Sequence, residues 1–336
     1  MKKHLFIILV LALFLVGCNL LPDAGEQPRA LSESSIWAMD TQMDLRLYGD
    51  KDGTLMAELT ATLNRLDHTL SATAADSALT ALNESGWTDD RDIVYLASNA
   101  RKISEQTGGA LDITLLPVSR LWGFTTGSYG VPAAADLEAL RDRVGMDKLS
   151  LTDESVSVPA GTKLDFGALA KGYAADLCRA RMEEAGLSGL LALGGNIQTV
   201  GTKPDGTDWI IGVQDPNDAG RYILTLRLTG SKAAVSSGDY QRYFVQDSVR
   251  YCHIMDPETL APVRGSLRSV TVVANEGLLA DGLSTALYVL GREAGTELWR
   301  QRGNFEAVWI EDDGVVWVTP GLKDRIADGD CQVIEP

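Results

Sequence analysis

Asp281, Ser284 and Thr285 stand three and four residues apart in Ala280-Asp281-Gly282-Leu283-Ser284-Thr285. On a helix this spacing puts a carboxylate and two hydroxyls on one face within about one 5.4 Å turn. Hard oxygen donors so arranged suit magnesium. The plainer reading makes Asp281 an N-cap and lets Thr285 satisfy its own helix. A second grouping lies in LDFGALAKGYAADL, starting at Leu164. Asp165 precedes a turn, Gly167 permits close backbone approach, and Leu169, Tyr173, Leu177 and Ala180 fall on one helical face. Free N–H groups at Gly167 and Ala168, with the positive helix end, favour a phosphate, and Lys171 adds a full charge one turn on. His253, in Tyr251-Cys252-His253-Ile254-Met255-Asp256-Pro257, sits at a strand end, where an imidazole can take a proton or touch phosphate. Taken alone, it also reads as an ordinary edge histidine.

The elements that must position these groups follow from periodicity. The helix from Asp165 ends at Gly186, and LLALGGNIQTV from Leu190 reads as a strand broken by Gly194 and Gly195. Ile36 to Tyr48 suggests an opening strand. Leu55, Leu59, Leu63, Leu66 and Leu70 stripe a long helix, and His68 lies beside that stripe as a structural residue. A second helix runs from about Asp92 to Thr107 with Gly108 as its stop. Trp122 follows glycines and a short acid, a setting for either a planar-ring pocket or core. A short helix at Asp136–Val144 leads into a hairpin, Leu149–Leu151 with Val156–Val158. Strands follow at Trp209–Gln214, Tyr222–Leu228, Ala233–Val235, Gln241–Val245, Arg250–Met255 and Ser269–Ala274. Leu283, Leu287 and Leu290 stripe the helix after Asp281, and a hairpin turned by Asp313-Gly314 closes the chain. Helices and mostly antiparallel strands in blocks, without strict βαβ alternation, predict an α+β fold.

Compartment is read from the start. Lys2 and Lys3 precede an apolar run from Leu5 to Val16, too short to span a membrane comfortably, and Gly17-Cys18 closes it. Residues 1–17 read as a lipoprotein signal peptide, Cys18 as the lipidated first residue, and residues 18–34 as a flexible tether. That places the protein outside the cytoplasm, lipid-anchored to a bacterial cell membrane, on the periplasmic face of the inner membrane in a Gram-negative cell. The net charge of −16 excludes nucleic acid and polyanionic surfaces as partners, and a phosphate-bearing substrate then needs a cation. Beyond Cys18 there are three widely spaced cysteines, Cys178, Cys252 and Cys331, with no zinc or redox pattern. No G-x-G-x-x-G, Walker A, G-x-S-x-G or H-E-x-x-H occurs, and no serine stands in a nucleophile's context; Ser236-Ser237-Gly238-Asp239 serves as a turn as easily as a site.

In combination the motifs resemble the ApbE-like family, the FAD:protein FMN transferases. The resemblance covers Ile36 to Asp324 and rests on seven pieces in order. They are Met39-Asp40-Thr41, GALDITLLPVSRLWGF from Gly109, LDFGALAKGYAADL from Leu164, LALGGNIQTVG from Leu191, SSGDYQRYF from Ser236, HIMDPETLAPV from His253 and ADGLSTALYVLG from Ala280. It implies a T-fold-like α+β protein, mostly antiparallel sheets packed with helices, with one catalytic unit over residues 35–330. The implied reaction is magnesium-dependent transfer of FMN from FAD to a Thr or Ser hydroxyl of a partner, releasing AMP. By motif, Asp281, Ser284, Thr285 and Ala168 correspond to the metal site. Met39, Thr73, Ala110, Leu111, Asp112, Asp165, Lys171 and Val263 fall where the family contacts FAD, and His253 falls where a base would deprotonate the attacking hydroxyl. Two departures stand out: Thr73 lies where relatives place a tyrosine against the flavin, and Asp40 replaces a usual glycine. The acceptor pattern Asp-x-x-(Ser/Thr)-Gly-Ala-(Ser/Thr) is missing from the chain, so modification is expected in trans. The rival readings are an FAD pyrophosphatase giving FMN and AMP, and a lipid-anchored protein that stores FAD.

Overall fold

The computed structural model describes residues 30–336. The signal segment, Cys18 and most of the tether therefore lie outside the described residues. The tether's last residues do not: Leu31–Ala38 is already an edge strand paired with Thr41–Tyr48. The single opening strand expected over Ile36–Tyr48 is thus two strands joined by a tight turn. Met39 and Asp40 form that turn with φ of 50° and 58°. This left-handed region favours glycine, and aspartate is among the few side chains that tolerate it.

A nine-stranded sheet organises the molecule. Its order is Leu31–Ala38, Thr41–Tyr48, Ser188–Leu193, Asn196–Val200, Lys232–Gly238, Leu267–Ala274, Glu306–Glu311, Val316–Val318 and Gln332–Val333, antiparallel except for the last pair. Alternation along each strand assigns its two faces. Ala233, Val235, Val272, Ala274, Ala307 and Trp309 face the helices and join the main core. Ala234, Val273, Val308 and Ile310 face a three-stranded sheet that contributes Trp209, Ile211, Val213, Leu224 and Leu226. The α+β expectation holds: one mostly antiparallel sheet carries helices on one side and a small sheet on the other. A third apolar cluster, containing Val118, Trp122, Phe124, Met255 and Leu260, stands apart from both. Trp122 is core there, its indole N–H donating to Leu260 O at 3.0 Å.

Several local expectations are corrected. The helix expected from Asp165 starts at Ala170, after a turn in which Gly167 N–H donates to Asp165 Oδ1 at 2.7 Å. Its buried side is Ala170, Tyr173, Ala174, Cys178 and Met182; Ala180 is exposed, because the helix packs by small residues rather than by a leucine stripe. The short helix near Asp136 spans only Ala134–Glu138. His68 is not packed beside the leucines but exposed, with Nε2 3.8 Å from an Asp76 oxygen. Cys178, Cys252 and Cys331 are all free thiols. The Gly277–Arg302 helix is interrupted at Gly291, whose φ of 79° is non-helical.

Candidate active site at a helix crossing

Two helices meet where the first two chemical groupings lie. A Cβ on Gly172 would come 2.2 Å from Gly277 O and 2.7 Å from Asp281 Cβ, and a Cβ on Gly277 would come 2.5 Å from Gly172 O. Any side chain at either position would force the helices apart, so the pair fixes a backbone-to-backbone contact. Across it, Gly172 N–H donates to Asp281 Oδ2 at 2.8 Å. The grouping near residue 281 and the helix start near residue 168 therefore face each other directly.

Asp281 is not the N-cap expected from its sequence context. The helix begins at Gly277, and its first N–H groups are satisfied from the neighbouring helix: Asp176 accepts from Gly277 N–H at 2.8 Å and from Leu278 N–H at 2.9 Å. Desolvation raises the Asp176 pKa, and those two bonds oppose the rise. Freed from capping, Asp281 lies one turn inside, buried, with Oδ1 taking no donor among the described residues. Ser284 Oγ donates to Asp281 O at 2.8 Å and lies 2.8 Å from Ser237 Oγ. Its one proton is thus committed to the carbonyl, and Ser237 must donate to it. Ser284 is fully buried by these contacts, whereas Thr285 is partly exposed and only 3.4 Å from Ser237 Oγ. The open donor set is Asp281 Oδ1 with the hydroxyls of Thr285 and Ser237. A carboxylate plus neutral oxygens in a half-open position fits a magnesium ion that keeps part of its water shell.

On the facing side, the amides of Ala168 and Lys171 take no protein acceptor among the described residues. Lys171 Nζ folds back to Gly167 O at 3.2 Å, which holds its charge over the same turn. Asp165 N–H donates to Ile113 O at 2.8 Å, so the segment carrying Asp112 runs beside it. Asp112 Oδ1 closes its own turn, accepting from Thr114 N–H and Oγ1 at 2.7 and 2.6 Å. Burial raises its pKa, the Thr114 bonds lower it, and Asp147 raises it further. Ala110 and Leu111 are buried, and Leu111 belongs to the core, so it offers a ligand only its backbone.

His253 sits on the third cluster. Nδ1 lies 3.3 Å from Arg242 O, and a carbonyl can only accept, so Nδ1 carries the proton and Nε2 keeps its lone pair. Burial first, then the charges of Arg242 and Lys171, push its pKa down to about 4, against the Arg242 carbonyl bond, which raises it. The imidazole is therefore neutral at pH 7. Val263 is adjacent, its N–H donating to Ile254 O at 2.9 Å. Met39 and Thr73 cluster elsewhere, around the end of the Thr54–Thr69 helix. Met39 N–H donates to Asp67 Oδ1 at 2.7 Å, while Thr73 is exposed and bonds only to Ser71. Arg120 ties this loop to the third cluster through Ala72 O at 2.9 Å. The Gly194-Gly195 turn approaches protein rather than open space: a Cβ would meet Thr41 at the first glycine and Gln241 or Ser236 at the second.

The sequence reading left Ser237 open between a turn and a site, whereas it lies in the strand Lys232–Gly238, and it missed Asp176 and the Gly172/Gly277 pair. Ser237 had a signal, since it continues the alternation of Ala233 and Val235 toward the helices. Gly172 had one too, because glycine inside a helix costs about 1 kcal/mol and asks for a packing reason.

Comparison with known proteins covers most of the chain. The ApbE family model matches residues 39–309. The chain belongs to the ApbE family. Among curated relatives, an FAD:protein FMN transferase of Salmonella typhimurium is 29% identical over 94% of this chain and 95% of its own. One of Klebsiella pneumoniae is 32% identical over 91% and 98%. Among solved structures, the apo flavinyl transferase ApbE of Pseudomonas stutzeri superposes with a TM-score of 0.80 at 31% identity, covering 90% of this chain and 99% of its own. The ApbE protein of Thermotoga maritima gives 0.83 at 29%, covering 88% and 99%. The ApbE likeness read from the seven motifs is thereby established, together with its α+β fold.

Proposed function

We propose that this ApbE-family protein transfers the FMN half of FAD to a Thr or Ser hydroxyl of a separate acceptor protein and releases AMP. The observation that carries the reading is the 2.8 Å bond from Gly172 N–H to Asp281, which sets a hard-oxygen site against a cationic helix start. A diphosphate between them meets charge from both sides. Relatives of similar length that bear the name FAD:protein FMN transferase support it.

Asp281, Thr285 and the Ala168 carbonyl would hold magnesium, with Ser284 and Ser237 steadying the hydroxyls. When bound, that ion neutralises diphosphate oxygens and eases departure of the AMP phosphate. Lys171 and the free amides of Ala168 and Lys171 orient the same phosphates. His253 Nε2 takes the proton of the acceptor hydroxyl as its oxygen attacks the FMN-side phosphorus. The P–O bond to AMP breaks, and AMP leaves with the electron pair. The segments around Met39, Thr73, Ala110, Leu111, Asp112, Asp165 and Val263 would receive the rest of FAD. Because water can replace the hydroxyl, an FAD pyrophosphatase is the competing chemistry.

The acceptor pattern proposed is Asp-x-x-(Ser/Thr)-Gly-Ala-(Ser/Thr), in a redox protein outside the cytoplasm, reached from an anchor at Cys18. Incubation with FAD, magnesium and a peptide of that pattern tests the reading by mass spectrometry. A gain of one FMN unit is expected; free FMN with unmodified peptide, or FAD recovered intact, would refute it.

A further inference from the structure

The turn between Leu31–Ala38 and Thr41–Tyr48 is held in a shape that its first residue does not favour. A two-residue hairpin loop of this kind needs positive φ at both positions, which glycine, asparagine and aspartate supply with least strain. Asp40 meets that requirement. Met39 does not, being long and apolar, yet it is held at φ 50°. Of the five non-glycine residues in the left-handed region among the described ones, only Met39 and Leu260 lack a polar side chain. A residue so placed persists only where its surroundings over-determine it.

Asp67 supplies that constraint. Met39 N–H donates to its Oδ1 at 2.7 Å, across 28 positions of the chain. The carboxylate is itself oddly placed, in the last turn of the Thr54–Thr69 helix, where the negative end of the helix disfavours an acid. The bond to Met39 offsets that placement, because an N–H donating to a carboxylate is among the stronger hydrogen bonds. Neither partner can drift: Leu59, Leu63 and Leu66 root the helix with no exposed surface, and Met39 packs partly buried on the same core. The strand beyond the turn is gripped as well, since a Cβ on Gly194 would come 2.9 Å from Thr41 Oγ1.

We propose that Asp67 is a positioning residue for FAD. Its carboxylate keeps the Met39–Asp40 turn in the left-handed shape, so the wall that the substrate meets there is finished before it arrives. The proposal rests on the FAD reading above and adds to it a residue that acts through the turn without touching the substrate. Without Asp67 the turn relaxes toward the shapes Met39 prefers, and FAD binding must then order it. The groups at the helix crossing and His253 stay as they are, so the loss falls on affinity rather than on turnover.

The test uses the whole protein with FAD and magnesium, and compares Asp67→Ala, Asp67→Asn and Asp67→Ala combined with Asp40→Gly. FAD Kd is read from quenching of flavin fluorescence, FAD KM and kcat from peptide modification, and local order from hydrogen exchange over residues 36–43. Asp67→Ala should raise Kd and KM about tenfold, leave kcat within about twofold and speed exchange at the turn. Asp67→Asn keeps an acceptor oxygen and should stay within about threefold of wild type. Glycine enters the left-handed region without strain, so adding Asp40→Gly to Asp67→Ala should recover about threefold of the lost affinity. Faster exchange with unchanged Kd makes Asp67 a stability residue and overturns the proposal, as does a loss with asparagine equal to that with alanine. A wild-type protein that binds FAD yet never modifies the peptide removes the transferase reading and leaves the Kd comparison to decide the role of Asp67. One that binds no FAD overturns both.

Discussion

The helix crossing and the aromatic module that carries His253 are held together by opposite means. At the crossing, glycines let backbones touch, and a carboxylate is fixed by a main-chain N–H. Distances there are set by peptide geometry and leave little freedom. The aromatic module is held by side chains stacked on an isolated ribbon, Tyr243–Gln246 with Val249–Cys252, with exposed apolar groups around it. A small, invariant substrate group such as a diphosphate calls for the first kind of site.

The sharpest break in that contrast is Asp281→Ala. Removing the carboxylate whose Oδ1 is open at the crossing should lower kcat/KM for FMN transfer by roughly 10³-fold and abolish the rise in melting temperature on adding magnesium with FAD. Activity near wild type would detach the crossing from the chemistry. His253→Gln should lower kcat about 10²-fold with little change in FAD affinity. In the wild type, the base form of His253 is lost as pH falls through its lowered pKa, so the acid limb of kcat/KM should lie near pH 4 rather than 6.5. Bound diphosphate favours the protonated ring, so the limb of kcat should lie higher. A kcat/KM limb at 6.5 would contradict the desolvated ring.

Gly172→Ala separates packing from charge. The added methyl meets a carbonyl and the Asp281 side chain, so stability should fall by about 2 kcal/mol, read from denaturant unfolding. The same change at Gly130, where an added Cβ would meet nothing within 4 Å, should be nearly silent. The smallest effect is a gain: Thr73→Tyr should tighten FAD binding by about 1 kcal/mol, roughly fivefold, if a ring there stacks on the flavin. Unchanged affinity would place the flavin elsewhere.

Sequence alone carried the strand blocks and the leucine-striped helix, because period-2 and period-3.6 patterns survive in any sufficiently buried element. Asp281, Ser284 and Thr285 were legible because their spacing is local. Asp281 was nevertheless misread as a cap, since the residue that caps this helix, Asp176, lies 101 positions away from Gly277. The turn at Met39-Asp40 was hidden for a different reason: a tight turn without glycine leaves alternation almost unbroken on either side. Ser237 became meaningful only when the sheet set it opposite Ser284.

Asp176 also governs the electric field at the crossing. Two helices begin side by side there, and each would present a positive pole. The Asp176 carboxylate takes two amides at the Gly277 start, whereas Asp281 takes only that of Gly172 at the Ala170 start, where the Lys171 amide and ammonium add to the attraction for an anion. Under the proposed reaction, a diphosphate would therefore be drawn to the Ala170 start rather than to the neighbouring helix, and that unequal pair of poles would orient it.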